Sequence, residues 1–224
     1  MYKLIFLDLD GTIFDFDKTE KHAICQNLIS FGLPHSAQIL DDYHTINAQS
    51  WASFERGEIS KEQLVIDRHL RLFKKHNINF DAVIFNENYE HLLKNSADLL
   101  DDALEILQYL SAKYILCVAS NGTKETQVNR LKLANITQYF TYFFISQDIG
   151  FVKPSAQFFA KAQSMLPQNI AKAQMVIVGD SLTSDILGGI NFGIDTIWLN
   201  NHNLPCALPV THQITKLSQL KLIL

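Results

Sequence analysis

The feature that most constrains the fold is the alternation of short apolar runs with stretches of helical periodicity. The apolar runs lie at residues 4–7, 114–119, 142–145, 175–178 and 196–199. Such short, continuous apolar runs are typical of strands that are buried on both faces. From residue 100 onward they alternate with helical patterns at 101–111, 124–133, 155–166 and 182–192. This order predicts an α/β fold, a Rossmann-like parallel sheet with helices on both faces.

The region just after the first predicted strand has a different pattern. It carries few β-branched runs and four helical patterns, at 18–31, 37–56, 60–76 and 81–94. Ser60 is placed to cap the third of these helices, with Gln63 at the capping-box position. We therefore expect an α/β core domain formed by residues 1–17 and 96–224, interrupted by an all-helical domain at 18–95.

Composition and charge restrict the partners that this chain can have. The 224 residues include 19 basic and 23 acidic side chains, a net charge of −4, and no Lys/Arg cluster. This argues against nucleic acid and against a membrane surface as partners. No run approaches the ~20 apolar residues that cross a bilayer, and three scattered cysteines suggest a reducing compartment. We expect a cytoplasmic protein, and the sequence leaves open whether it is a monomer or a homodimer.

Aspartates follow two of the predicted strands at the point where each strand ends. Asp8 and Asp10 come directly after the first strand, Asp180 follows the fourth, and Asp185 begins the helix beyond it. Taken singly, an aspartate here is usually only a helix cap or a turn residue. Because the carboxyl ends of parallel strands share one edge of the sheet, these four should meet there. Carboxylates at about 4–6 Å repel by a few kcal/mol per pair, and an all-oxygen set favours Mg²⁺ as the compensating ion.

The second and third strands end in residues of a different kind. Ser120-Asn121-Gly122 follows the second strand and offers a hydroxyl, an amide and main-chain N–H groups. Lys153-Pro154 lies in the loop after the third strand, where the lysine could neutralise both a carboxylate and a phosphoryl group. On its own, a Lys-Pro pair is usually a solvated helix entry, so its meaning depends on the other motifs.

Taken in order, these motifs resemble the four motifs of the haloacid dehalogenase-like superfamily. The resemblance implies a Rossmann-like core with a C1 cap inserted after the first motif, and an aspartyl-phosphate formed on Asp8. It implies Asp10 as general acid and base, and Mg²⁺ held by Asp8, Asp180 and the main-chain carbonyl of Asp10, with Asp185 supporting that set. Ser120, Asn121 and Lys153 would bind the phosphoryl group. The acid at position 10 points to a phosphatase or a phosphomutase.

A finer likeness is to the bacterial branch of pyrimidine nucleoside 5′-monophosphatases, which also act on noncanonical nucleotides. It rests on Phe14-Asp15-Phe16-Asp17, Asp42-Tyr43 with Asn47 and Trp51, Gly57-Glu58-Ile59-Ser60 and the run 179–191. This likeness implies UMP, dUMP and dTMP as substrates. Serine stands at position 120, where relatives often have threonine.

Phe16, Asn47 and Trp51 are the candidates for substrate specificity, because aromatic rings stack on bases and an amide can read a pyrimidine edge. Their competing interpretation is that they build the core of the helical domain. Other functions also stay open, namely a phosphatase for phosphoglycolate or a sugar phosphate, a phosphomutase, or a phosphate-binding regulator without catalysis. The sequence suggests no role for residues 200–209.

Overall fold

The computed structural model describes residues 1–166 and 170–224. The chain divides into two compact units, which we call the α/β unit (Met1–Asp15 with Ala97–Leu224) and the helical unit (Phe16–Ser96). Among the described residues, no helix combines the length and apolar character that crossing a bilayer requires.

The helical unit consists of four α-helices around an apolar core of its own. They are α1 (Phe16–Ser30), α2 (Ala37–Glu55), α3 (Lys61–His76) and α4 (Ala82–Lys94). Tyr43, Phe85 and Tyr89 are fully buried in this core. The predicted capping box is confirmed, because the Ser60 side chain accepts from the Gln63 N–H while the Gln63 side chain accepts from the Ser60 N–H. These two bonds satisfy N–H groups that the first turn of α3 would otherwise leave unpaired.

The α/β unit is built on a parallel six-stranded sheet with the order β3-β2-β1-β4-β5-β6. Its strands are β1 (Leu4–Leu7), β2 (Ile115–Ser120), β3 (Tyr142–Ile145), β4 (Met175–Gly179), β5 (Asp195–Leu199) and β6 (His212–Ile214). The sequence predicts the first five to within a residue at each end and misses β6. This strand lies at the edge of the sheet, and two of its three residues are exposed. An edge strand of that kind has no continuous apolar run to reveal it.

The two faces of the sheet are covered by different helices, as predicted. The remaining helices are α5 (Ala103–Ser111), α6 (Lys124–Leu133), α7 (Ser146–Ile149), α8 (Ala156–Ser164), α9 (Leu187–Phe192) and α10 (Leu220–Ile223). Ile5 and Leu7 belong to a core cluster with residues of α5, α6 and α10, whereas Leu4 and Phe6 pack with residues of α8 and α9. Alternate residues of a strand point to opposite faces, so β1 has to be apolar throughout.

The helix expected at 182–192 differs from its prediction. It opens with a π-helical segment, Leu182–Ile186, and only then continues as α9. Within that segment the N–H groups of both Asp185 and Ile186 donate to the carbonyl of Ser181. Apolar periodicity cannot distinguish this wider turn from a regular one, and such turns are frequent at functional sites.

Candidate active site

The central strands bring their carboxyl ends to one edge of the sheet. Leu7 pairs in register with Val118 of β2 and with Val178 of β4. Asp8 therefore emerges from β1 between the ends of these two strands, and its N–H donates to the Val178 carbonyl at 3.0 Å. Ser120 ends β2 and Asp180 follows β4, so both lie at the same edge.

Lys153 lies among the acidic groups at this edge and is almost completely buried. Its Nζ donates to Asp8 Oδ1 at 2.7 Å, to Asp185 Oδ1 at 2.5 Å and to the Ala119 carbonyl. Burial acts to lower the pKa of Lys153, but the ion pairs with Asp185 and Asp8 outweigh it, and the pKa is raised. Lys153 is therefore a fixed positive charge.

Asn121 holds the main chain of Lys153 in place. Its Nδ2 donates to the Lys153 carbonyl and its Oδ1 accepts from the Lys153 N–H, each at 2.9 Å. A side-chain amide that bonds both groups of one residue fixes the loop after β3 against the end of β2. Asn121, which the sequence predicts to bind substrate, thus contacts the main chain of Lys153.

Three carboxylates gather beside this lysine. Asp8, Asp180 and Asp185 each offer one oxygen, and these oxygens lie within 4.8 Å of one another. Burial raises the pKa of Asp8, the Asp185 carboxylate raises it further, and Lys153 opposes the rise. Burial and Asp185 likewise raise the pKa of Asp180 to about 7, although the Thr12 hydroxyl donates to Asp180 at 2.9 Å.

This donor set fits a magnesium ion. Lys153 supplies one positive charge against three carboxylates, so negative charge remains at the cluster when all three are ionised. The available donors are hard carboxylate oxygens, which Mg²⁺ prefers over nitrogen or sulfur. Asp8, Asp180 and Asp185 are thus brought together as predicted, whereas the carboxylate of Asp10 is not part of this group.

A tight turn directs the Asp10 carboxylate elsewhere. Gly11 has φ +79°, and a Cβ there would lie 2.4 Å from Asp180 Oδ2, so the turn requires glycine. The Asp10 carboxylate forms an ion pair with Arg130 and accepts from the Gln127 amide. It is 28% exposed, while the side chain of Arg130 is 1% exposed.

Gln127 and Arg130 are two polar residues of this site that the sequence analysis missed. Both lie on α6, three residues apart, and both are buried. Residues three apart share one helix face, and this helix begins directly after the Ser120 motif, which is the signal that could have revealed them. Only the structure shows that this polar face turns inward.

The Ser120 hydroxyl is buried and oriented. Its Oγ accepts from the Gly122 N–H at 3.0 Å and from Gln127 Nε2 at 3.1 Å. A hydroxyl has one proton to donate and two acceptor lone pairs. With both acceptor positions used, its proton is left for a third group.

The three specificity candidates lie in the helical unit. Phe16 begins α1 and packs on the apolar core of that unit. Asn47 is buried, with Nδ2 donating to Glu20 Oε1 at 2.5 Å and Oδ1 accepting from Arg68 Nη1 at 3.2 Å. Trp51 is half-buried, packs edge-on against Phe54, and has Lys61 Nζ 3.7 Å from its ring centre.

Comparisons with known proteins agree with this fold. A model of the haloacid dehalogenase-like hydrolase family matches residues 2–193. The protein YfnB of Bacillus subtilis is 32% identical over 100% of this chain and 95% of its own length. Pyrimidine 5′-nucleotidase PynA of Streptococcus pneumoniae is 36% identical over 91% of this chain and 86% of its own.

A solved structure of YfnB, bound to magnesium, superposes with a TM-score of 0.94 at 30% identity. It covers 99% of this chain and 98% of that one. A parallel sheet covered by helices on both faces, with carboxylates following β1 and β4 at one edge, defines a Rossmann-like α/β fold. The chain belongs to the haloacid dehalogenase-like hydrolase family.

Proposed function

We propose that this protein is a magnesium-dependent phosphatase that hydrolyses pyrimidine nucleoside 5′-monophosphates through an aspartyl-phosphate on Asp8. The observation that carries the proposal is the contact of the buried Asp8 carboxylate with Lys153, beside Asp180 and Asp185. The similarity to a protein named pyrimidine 5′-nucleotidase supports the substrate class.

The first step is transfer of the phosphoryl group. A carboxylate oxygen of Asp8 forms a bond to phosphorus while the bond from phosphorus to the ester oxygen breaks. Asp10, two residues further along the chain, gives a proton to the departing oxygen, which leaves as an alcohol. Lys153 is bonded to Asp8 Oδ1, which keeps the nucleophile in place and puts positive charge beside the transferring group.

The second step is hydrolysis of the aspartyl-phosphate. Asp10 now takes a proton from water, the water oxygen bonds to phosphorus, and the bond to Asp8 breaks to release inorganic phosphate. The Ser120 hydroxyl donates a hydrogen bond to a phosphoryl oxygen in both steps. Asn121 acts through the main chain of Lys153, which it fixes.

Asp8, Asp180 and the main-chain carbonyl of Asp10 would hold Mg²⁺, with Asp185 supporting them. When bound, the ion supplies positive charge next to the phosphoryl oxygens and offsets the repulsion among the carboxylates.

We propose the helical unit as the cap that selects the substrate. Phe16 and Trp51 offer aromatic surface to a base, and stacking of this kind contributes about 1–3 kcal/mol. Asn47 would act through the packing of α2, since its amide is bonded to Glu20 and Arg68. Trp51→Ala should then raise KM for UMP by about tenfold, equal to about 1.4 kcal/mol, without raising KM for glycerol phosphate.

A substrate panel with and without Mg²⁺ tests this proposal. UMP, dUMP and dTMP should be hydrolysed at least tenfold faster than phosphoglycolate and sugar phosphates, and chelation of the metal should stop turnover. Asp8→Asn should remove activity with every substrate. A preference for a sugar phosphate would mean that the protein is a phosphatase with a different substrate. Full activity in Asp8→Asn would overturn the mechanism.

A further inference from the structure

The contacts of Asp10 point to residues that set its position, beyond the motifs of the sequence analysis. Its two carboxylate oxygens are held by different donors, Oδ1 by Arg130 Nη1 and Oδ2 by Gln127 Nε2. Each oxygen keeps a second lone pair for proton transfer. The side chain is 28% exposed, so without these donors it would be free to adopt other rotamers.

Arg130 is itself held against the turn that carries Asp10. Its guanidinium lies 4.2 Å from the ring centre of Phe14. The main-chain carbonyl of Phe14 accepts a hydrogen bond from the Gly11 N–H, and the Phe14 N–H donates to the Leu9 carbonyl. Arg130 therefore contacts this turn at two points, the carboxylate of Asp10 and the ring of Phe14.

Gln127 connects Asp10 to Ser120. Its Nε2 donates to Asp10 Oδ2 and to Ser120 Oγ. A Cβ at Gly122 would lie 2.3 Å from this nitrogen, so the backbone of the Ser120 motif leaves room for the amide. One amide thereby fixes the spacing between the hydroxyl proposed to bind phosphate and the carboxylate proposed to move protons.

We propose that Arg130, together with Gln127, is a positioning residue that holds the Asp10 carboxylate in place for proton transfer to the leaving oxygen. This inference rests on the proposed function, because it takes Asp10 as the general acid. The competing role is structural, since a buried arginine paired with an aspartate can serve stability alone.

The leaving group separates these two roles. Phosphate esters of alcohols, such as UMP and glycerol phosphate, require a proton on the departing oxygen, whereas 2,4-dinitrophenyl phosphate releases a stable phenolate without one. The kcat/KM value reports the first phosphoryl transfer for both kinds of ester. Proton transfer by a positioned acid contributes about 10²–10⁴-fold to the reaction rate. A misplaced Asp10 carboxylate should therefore lower kcat/KM only for the esters of alcohols.

Arg130→Met is the informative variant, because methionine keeps much of the apolar contact with Phe14 and removes the donors. We expect kcat/KM for UMP to fall by about 10–100-fold, a part of the full contribution of the acid, and kcat/KM for 2,4-dinitrophenyl phosphate to fall less than threefold. Arg130→Lys should recover part of the loss. Lys132→Met, an exposed residue of the same helix, is the matched control and should behave as the parent.

A double-mutant cycle completes the test. If Arg130 acts through Asp10, then Arg130→Met should cost little in an Asp10→Asn background, because residues that act through one group are not additive. Equal losses with both kinds of ester, or an undiminished loss in the Asp10→Asn background, would overturn the inference. If Arg130→Met does not fold, Gln127→Met should still lower kcat/KM for UMP by a larger factor than kcat/KM for 2,4-dinitrophenyl phosphate, although loss of its bond to Ser120 lowers both.

The failure of this inference can be told apart from failure of the proposed function. An active Asp8→Asn, or an Asp10→Asn variant whose kcat/KM falls equally for both kinds of ester, would contradict the proposed function. If Asp10→Asn retains kcat/KM for the dinitrophenyl ester alone and Arg130→Met shows no such difference between the esters, only the inference about Arg130 is wrong.

Discussion

At the scale of single residues, the candidate site depends on a balance of buried charge. Lys153 is 1% exposed and pairs with Asp8 and Asp185, whose side chains are 11% and 1% exposed. Removal of one partner from a buried ion pair leaves a charge that neither water nor a counterion can stabilise. We therefore expect Lys153 to contribute to the stability of the folded protein.

Lys153→Met should lower the free energy of unfolding by about 3–5 kcal/mol in the absence of Mg²⁺. The reason is that Asp8 and Asp185 then remain buried without their ammonium partner. Chemical denaturation measures the change, with Lys161→Met, an exposed residue of α8, as control. A loss below about 1 kcal/mol, the usual value of an exposed pair, would contradict this.

Gly11 and Gly193 offer a matched pair of substitutions. Their φ angles are +79° and +82°, but an added Cβ meets Asp180 only at Gly11, while nothing lies within 4 Å at Gly193. Alanine at Gly193 should lower the free energy of unfolding by about 1–2 kcal/mol through backbone strain, and alanine at Gly11 should lower it by more because its Cβ also meets Asp180. Gly11→Ala alone should also lower kcat/KM, by at least about tenfold, or 1.4 kcal/mol. Equal activity of the two variants would show that the turn tolerates a shift of Asp180.

At the scale of elements, the helices of the helical unit are joined by buried polar contacts as well as by their apolar core. Glu20 of α1 is 3% exposed, and its carboxylate accepts from His44 and Asn47 of α2. A carboxylate buried in this way needs partners on the neighbouring helix. Pairing of α1 with α2 should therefore respond to the protonation of His44.

His44→Gln should destabilise the protein more at low pH than at high pH. The hydrogen bond that the Glu20 carboxylate accepts from His44 raises the pKa of His44 above its usual value. The contribution of a group with a raised pKa is fully present below its unfolded pKa and is lost as the pH rises through the folded pKa. Because His44 is 59% exposed, we expect no more than about 1 kcal/mol.

Denaturation of the parent and of His44→Gln at about pH 5.5 and pH 8.5 measures this difference below and above the ordinary histidine pKa of about 6.5. His22→Gln, an exposed residue of α1, is the control. A larger effect at pH 8.5 would contradict the assignment.

At the scale of the whole molecule, the acidic cluster sets how stability depends on pH and on the metal. The pKa of Asp180 is raised from 3.8 to about 7, and that of Asp8 is raised as well. At pH values between the ordinary and the raised pKa of Asp180, the folded protein binds more protons than the unfolded chain. Its stability therefore falls as the pH rises. A cation bound to the ionised cluster opposes that fall.

Mg²⁺ should therefore raise Tm more at about pH 8 than at about pH 5.5, where protons compete for the same carboxylates. Thermal unfolding with and without the ion at both pH values measures the effect. Asp180→Asn should weaken both the response to Mg²⁺ and the fall of stability between these pH values. A shift in Tm that does not depend on pH, or that Asp180→Asn retains in full, would place the ion elsewhere.

The sequence by itself determined those features that follow from local patterns and chain order. The apolar runs gave five of the six strands because buried strands must be apolar on both faces. The placement of Asp8 and Asp180 at one edge followed from the rule that parallel strands end together. The motif order was enough for the family, because each motif is weak alone and the ordered set is specific.

Only the tertiary structure decided which groups touch across distant parts of the chain. Asp10 and Arg130 are 120 residues apart in sequence, and no local pattern indicates that the polar face of α6 turns towards the Asp10 turn. The edge strand β6 and the π-helical segment before α9 likewise depend on neighbours rather than on periodicity. Side-chain contacts of this kind are set by packing, which the order of residues along the chain does not show.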